Sequence, residues 1–224
     1  MSNFAVVPVL DEAAAVGALI GELRASWFDG VIVVDGGSHD DTAARARAAG
    51  AEVVVEPRRG YGRALMAGIA AARWQGARTL TFVDGNGTVS GADAGRVLAP
   101  VACGDADLAV GCRAGAGLRW LQRLGNRLAI EIIERAHGVR YADIGSVRAI
   151  SMAALDRLAP DEPAYGWPLQ LMMRAAAGRL RIEQVPIALR PRRSRSKISG
   201  TVRGTLGASA TFVRLLAGEW RPPP

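Results

Sequence analysis

The chain has 224 residues, 50% hydrophobic and 22% charged, which suits one globular domain with a substantial core and excludes a disordered or fibrous protein. Its 28 Lys and Arg outnumber 21 Asp and Glu for a net charge of +7, and the excess gathers in "RPRRSRSK", Arg190 to Lys197. A local anionic partner is therefore expected rather than a uniformly basic surface.

The first half alternates short β-branched runs with alanine-rich stretches: "FAVVPVL", a helix from about Glu12, "GVIVVD", a helix from about Asp40, "AEVVVE", a helix from about Tyr61, "TLTFVD", another helix, and "ADLAVG". Strands buried on both faces and separated by helices predict an α/β fold, a mostly parallel sheet wound with right-handed crossovers. After Gly111 the pattern predicts a long helix from Leu118 to Ala136, a loop "GVRYADIGSVRAI", a helix around "YGWPLQLMMRAAAG" and paired strands in "LRIEQVPIALRPR". The basic run follows. Beyond it Ile198, Val202, Leu206, Ala210, Val213 and Leu216 recur at helical spacing, predicting an amphipathic C-terminal helix weakened by Gly200, Gly204 and Gly207. The expected organisation is a domain over 1–190 and, over 191–224, a basic segment with this helix and a short tail.

No window reaches the roughly 18 uninterrupted apolar residues of a spanning helix, and "MSNFAVVPVLDEAA" shows no basic stretch leading into an apolar core. The expectation is a cytoplasmic protein, with peripheral attachment at the inner face of the cell membrane left open. Cys103 and Cys112 lack zinc-ligand and CxxC spacing and read as reduced structural thiols. His39 reads as a solvent-facing residue at a helix start and His137 as a helix end, without ligand companions at metal spacing. Trp120 and Trp167 read as packing residues or amphipathic anchors. Aromatic residues are missing from the basic run, which argues against nucleic acid as its partner.

In wound parallel sheets the ligand sits beyond the carboxyl ends of the strands. Three acid-bearing segments fall there: "VLDE" at 9–12, "VVDGGSHDDT" at 33–42 and "VDGNG" at 83–87. Asp35 and Asp84, with "EPRRGYGRAL" on the loop between their strands, suit a nucleotide carrying a diphosphate. Carboxylates bond base or ribose groups, Gly60 and Gly62 let backbone approach closely, and Arg58, Arg59 or Arg63 can meet phosphate charge.

Taken in order, "VVPVLDE", "VIVVDGGSHDDT", "PRRGYGRALMAGIAAA", "FVDGNG", "GCR", "RLGNRLA", "DIGSVRAI", "YGWPLQL" and "VPIALRPRRSRSKISGTVRG" resemble the family 2 glycosyltransferases of GT-A fold, in particular the dolichyl-phosphate mannosyltransferase-like branch. The resemblance implies a Rossmann-like sheet and inverting transfer of a hexose from a nucleotide sugar, GDP-mannose or UDP-glucose, to a polyprenyl phosphate or related lipid acceptor at an anionic membrane surface. It implies donor binding by Pro8, Leu10, Glu12, Asp35, Arg59, Gly60, Asp84, Gly85 and Arg113. Phosphate or acceptor binding falls to Arg148, Arg193, Ser196 and Lys197, and a Mg2+ or Mn2+ site to Asp84 with Asn86. Asp84 and Asp143 become the catalytic candidates.

Several positions depart from the family pattern, and at Asn86 and Gln170 the departure removes a negative charge. The usual opening "NE" is Asp11 and Glu12, the loop usually written "GPFR" or "GFR" is "GSVR" at 145–148, a second aspartate of the metal loop is replaced by Asn86, and a glutamate of the "YGW" helix by Gln170. An amide still offers a carbonyl oxygen to a hard cation, and magnesium sites often use one or two carboxylates plus substrate phosphates. Losing a unit charge about 4 Å from a divalent ion costs roughly 2 kcal/mol even at water's dielectric constant, so metal is expected to bind mainly with the donor diphosphate. Arginines at 58, 59, 113, 193 and 195 are available to share that charge. Two other readings stay open: Asn86 as a mere loop cap in a degenerate, ligand-binding protein, or a transferase acting on a hydroxyl. A phosphate acceptor needs little help from a base, because its second pKa near about 6 leaves it anionic at neutral pH. Asp143 is the strong carboxylate of the second half, as acceptor-orienting group or base, or as a partner of Arg148 or loop amides.

Overall fold

The structure is a computed structural model that describes residues 2–113 and 120–192, with backbone only for 120–123. Strands β1 (Asn3–Val9), β2 (Gly30–Asp35), β3 (Glu52–Val55), β4 (Thr79–Val83), β5 (Leu108–Arg113), β6 (Val147–Ser151) and β7 (Ile182–Ile187) form one sheet in the order β3-β2-β1-β4-β6-β5-β7. Every neighbouring pair is parallel except the two made by β6, which runs antiparallel between β4 and β5. Helices α1 (Val16–Arg24), α2 (Thr42–Ala48), α3 (Tyr61–Trp74), α4 (Gly91–Ala102), α5 (Trp120–His137), α6 (Met152–Leu158) and α7 (Trp167–Ala177) complete the described chain. This is the expected α/β architecture.

Two apolar layers cover the sheet. One gathers Phe82, Leu65, Ile133, Leu155 and Trp167 with α3, α5, α6 and α7; the other gathers Val7, Leu19, Val33, Val97 and Leu98 with α1 and α4. Trp167 is fully buried and meets Phe82 edge-on at 5.0 Å, so it is a packing residue. The side chain of Trp120 lies outside the described residues. Cys103 is exposed, Cys112 buried, and both are free; burial pushes the Cys112 thiol up to about 11, which leaves it inert.

Three local expectations are corrected. The stretch expected as a loop contains β6, whose five residues carry Arg148 in second place and Ser151 at the end and so hide its strand character. Helix α6 follows at once, with Ser151 Oγ accepting the Ala154 N–H as its N-cap. The paired strands expected near the end are one strand, β7, which pairs with β5 rather than with an adjacent hairpin arm. Helix α1 starts at Val16, later than expected, because Asp11 takes a left-handed φ of 45° and the chain turns through Glu12 before the helix begins. Among the described residues no helix is long and apolar enough to cross a membrane. The expected C-terminal amphipathic helix lies outside them.

Candidate active site

Asp35 ends β2 and pairs in register with Val9, the last residue of β1. On the other side of β1 the loop after β4 folds against it, with the Gly85 N–H donating to the Pro8 carbonyl at 3.3 Å. A Cβ at Gly85 would lie 2.4 Å from Val9 Cγ1, so a glycine is required for that approach. Asp35 and Asp84 thus flank the end of β1, two strand spacings or about 10 Å apart across the sheet. Leu10 follows β1 directly, and buried Glu12 donates its N–H to Thr42 Oγ1 at 2.8 Å. Asp35 is buried, and its Oδ1 accepts from the Ser38 N–H at 2.9 Å and hydroxyl at 2.6 Å.

Asp84 lies deep in the crevice but keeps some solvent contact. Burial raises its pKa, opposed by the Tyr61 hydroxyl, which donates to Oδ1 at 2.9 Å, and by the charges of Arg148, Arg192 and Arg113. Asn86 behaves differently: its Oδ1 accepts both the N–H (2.9 Å) and the hydroxyl (2.7 Å) of Thr88, so the amide caps its own loop. Both lone pairs of that oxygen are used. A cation can take it only if the Thr88 hydroxyl rotates away, at a cost of about 1 kcal/mol. Among the described residues no group of three or more His, Cys, Asp or Glu side chains could hold a metal ion. The donor set fits a hard divalent ion held by Asp84 together with substrate oxygens, not a cage built by the protein.

Asp143 is locked. Arg113 Nε and Nη2 each reach one of its oxygens at 2.5 Å, and Asn126 on α5 donates to Oδ1 at 3.1 Å while accepting the Ile144 N–H. Burial works to raise the Asp143 pKa, but the Arg113 hydrogen bonds and charge outweigh it and hold it below the usual carboxylate range. Of the two roles left open, the geometry displays a bound carboxylate, whose partners are Arg113, Asn126 and the loop amide of Gly145 rather than Arg148. Arg148 is buried on β6, donates from Nη2 to the carbonyls of Ile144 and Gly145, and leaves Nε without a partner.

The glycines of "RRGYGR" have a different role from the one expected. A Cβ at Gly60 would sit 2.3 Å from the Pro163 carbonyl oxygen, and one at Gly62 would sit 1.9 Å from that of Glu162. The N–H groups of Gly62 and Arg63 donate to the carbonyls of Ala164 and Pro163. The close approach is therefore to the chain's own 162–164 segment, which also occupies the first-turn amides of α3. Arg58 is engaged twice by Glu56, whose pKa its hydrogen bonds lower to about 2. Exposed Arg59 accepts a hydrogen bond from Arg63 on its carbonyl. Buried Gln170 accepts the N–H groups of Asp161 (2.9 Å) and Glu162 (2.8 Å) and donates to Asp161 Oδ1 (2.9 Å), pinning this same segment.

Beyond β7 the chain returns to the crevice. Arg190 donates its N–H to Thr88 O and its Nη1 to Glu22 Oε1 at 2.6 Å, and Arg192 Nη2 meets Glu12 Oε1 at 2.7 Å. These two members of the basic run are bound to the domain instead of standing ready for an anionic surface. Arg193, Ser196 and Lys197, with Arg195, lie outside the described residues. Sequence reasoning missed Tyr61, Asn126, Thr88 and Arg192 as parts of the site. Tyr61, Asn126 and Arg192 stood inside motifs already quoted, but nothing in their spacing showed which acid each would meet.

Residues 4–157 match the model of Glycosyl transferase family 2. The chain is 33% identical over 216 residues to an uncharacterised glycosyltransferase of Mycobacterium tuberculosis, covering 95% of this chain and 96% of that one. It is 30% identical to the glycosyltransferase AglJ of Haloferax volcanii, over 84% of this chain and 62% of the relative. Among solved structures it is similar to glucosyl-3-phosphoglycerate synthase of Mycobacterium tuberculosis in complex with Mn2+, UDP and glucosyl-3-phosphoglycerate, with a TM-score of 0.79 and 25% identity over all of this chain and 81% of that one. A parallel sheet with one reversed inner strand, an acid at the end of β2 and another after β4, and these likenesses agree: the chain belongs to glycosyl transferase family 2 and is a glycosyltransferase of GT-A fold.

Proposed function

We propose that this glycosyltransferase moves a hexose from a nucleoside diphosphate sugar to a polyprenyl phosphate, with inversion at the anomeric carbon. The observation that carries the donor half is the crevice at the end of β1. Asp35 stands on one side for the nucleoside, and Asp84 stands on the other under the charges of Arg113, Arg148 and Arg192, which suits a diphosphate. Asp84, joined by Asn86 once Thr88 releases it, would hold Mg2+ or Mn2+, whose charge favours departure of the nucleoside diphosphate. An acceptor phosphate oxygen forms the bond to the anomeric carbon as the bond to the diphosphate oxygen breaks and takes its electron pair. No side-chain base is needed for that attack, which accords with Asp143 being held by Arg113.

The molecules bound to the Mycobacterium tuberculosis synthase favour UDP-glucose as donor and raise a second reading, a small phosphorylated acid such as phosphoglycerate as acceptor. Thermal shift with UDP-glucose and GDP-mannose, with and without Mn2+, reads the donor. Transfer of labelled sugar to polyprenyl phosphate in detergent or to 3-phosphoglycerate reads the acceptor, and proton NMR of the product reads the anomer. Transfer to phosphoglycerate with none to the lipid would overturn the lipid reading, and a retained anomer would overturn inversion.

A further inference from the structure

The crevice carboxylates differ in how they are held. Asp35 Oδ1 is fixed by Ser38, and Asp143 is fixed by Arg113 and Asn126. Asp84 receives one hydrogen bond among the described residues, from Tyr61 to Oδ1 at 2.9 Å, while Oδ2 has no partner and is not sealed from solvent. Tyr61 opens α3 and is itself held on three sides. Its ring packs against the apolar layer on this face of the sheet and stacks on Tyr165, with centroids 6.3 Å apart and planes 28° apart. The glycines on either side of it let the 162–164 segment close onto the first turn of α3. Gln170 pins that segment from below.

We infer that Tyr61 is a positioning residue for Asp84: its hydroxyl, aimed by the glycine-flanked clamp, fixes one carboxylate oxygen and leaves the other for the donor diphosphate and its cation. The inference rests on the proposed donor reading. It also gives "RGYG" a purpose, since the two glycines serve the aim of the tyrosine between them. A carboxylate on a loop loses orientation when its single hydrogen bond is removed, and binding weakens even though no contact to the ligand is deleted.

Tyr61→Phe keeps the ring, the stack and the volume and removes only the hydroxyl. Calorimetric titration of wild type and variant with UDP in the presence of Mn2+ is the test, repeated with Asp84→Asn and with the double variant. The expected result is about tenfold weaker binding for Tyr61→Phe with an unchanged far-UV spectrum, on the order expected for one hydrogen bond to a charged group, and no further loss when it is added to Asp84→Asn. Unchanged binding, or an equal loss in both backgrounds, would overturn the positioning role while leaving the donor reading intact. A wild type that binds neither UDP nor GDP with Mn2+ would instead overturn the donor reading and, with it, the role of Tyr61.

Discussion

Replacing Gln170 with glutamate, the residue of the family pattern, asks whether the amide is a mere loss of charge or a pin for the 161–164 segment. An ionised carboxylate would still accept the N–H groups of Asp161 and Glu162, but it would put a negative oxygen where Nε2 now donates to Asp161 Oδ1 at 2.9 Å. At that distance two like charges repel by about 6 kcal/mol at an effective dielectric constant of about 20, and by less in so far as solvent reaches the exposed Asp161. Arg174, 2.9 Å from the same Asp161 oxygen, offsets part of this. Burial works to raise the Asp161 pKa, yet the Gln170 amide and Arg174 outweigh it and hold it low, so Asp161 will not readily take the proton.

The cheaper escape is protonation of the introduced carboxyl, whose O–H can then donate where the amide did. Keeping it protonated at pH 7 against an unfolded pKa of about 4.3 costs about 1.4 kcal/mol per pH unit, so about 4 kcal/mol is the ceiling. Because the folded pKa is raised, the variant should match the parent below about pH 4.3 and lose stability as pH rises toward that folded pKa. We expect Gln170→Glu to lose about 2–4 kcal/mol at pH 7, roughly 5–15 °C in Tm, and most of the deficit to vanish near pH 4.5. Calorimetric melts of both proteins at the two pH values read this directly. A small, pH-independent change with increased transferase activity would refute the pin and show that a carboxylate at this position serves the reaction.

Asn86→Asp should keep the turn with Thr88 and raise Mn2+ affinity without nucleotide by about tenfold or more, read from the free Mn2+ signal in electron paramagnetic resonance. Asp143→Asn should cost about 3–5 kcal/mol at pH 7 in urea unfolding by leaving Arg113 poorly paired. Because the folded pKa of Asp143 is lowered, the parent's advantage is present above about pH 4 and is lost as pH falls through that lower value. Changing Arg193, Arg195 and Lys197 to glutamine should abolish any salt-sensitive flotation with anionic vesicles, each charge counting for about 1 kcal/mol, whereas Arg190→Gln with Arg192→Gln should lower Tm and leave flotation unchanged.

What could be read in the chain was whatever repeats. β-branched runs separated by alanine-rich helices announce a parallel sheet, and the acids after "VIVV" and "TLTFV" announce its ligand edge, because both follow from the local order of residues. β6 escaped because a charged residue argues against a buried strand, and what buries Arg148 is the insertion of β6 between β4 and β5, a fact of tertiary packing that no local pattern carries. The glycines around Tyr61 were legible as close-approach positions, but what approaches them comes from a segment about 100 residues later. The pairing of Arg192 with Glu12 likewise spans most of the chain, so "RPRRSRSK" read as one basic run when its first members are already bound.

The two amides that looked like parallel losses of charge therefore have separate causes. Gln170 is needed as donor and acceptor at once, which an ionised glutamate cannot be. At position 86 the constraint is electrostatic. Asp84, Glu12 and Asp143 already face Arg148, Arg192 and Arg113, and burial pushes the Asp84 pKa upward despite those cations. A second carboxylate two residues away would push one of the pair further toward the protonated form whenever no cation is bound. An amide keeps the turn to Thr88 and adds no charge, so the crevice stays balanced when empty. On the proposed reading the diphosphate then brings the negative charge that recruits the metal, which makes metal binding a consequence of donor binding rather than its precondition.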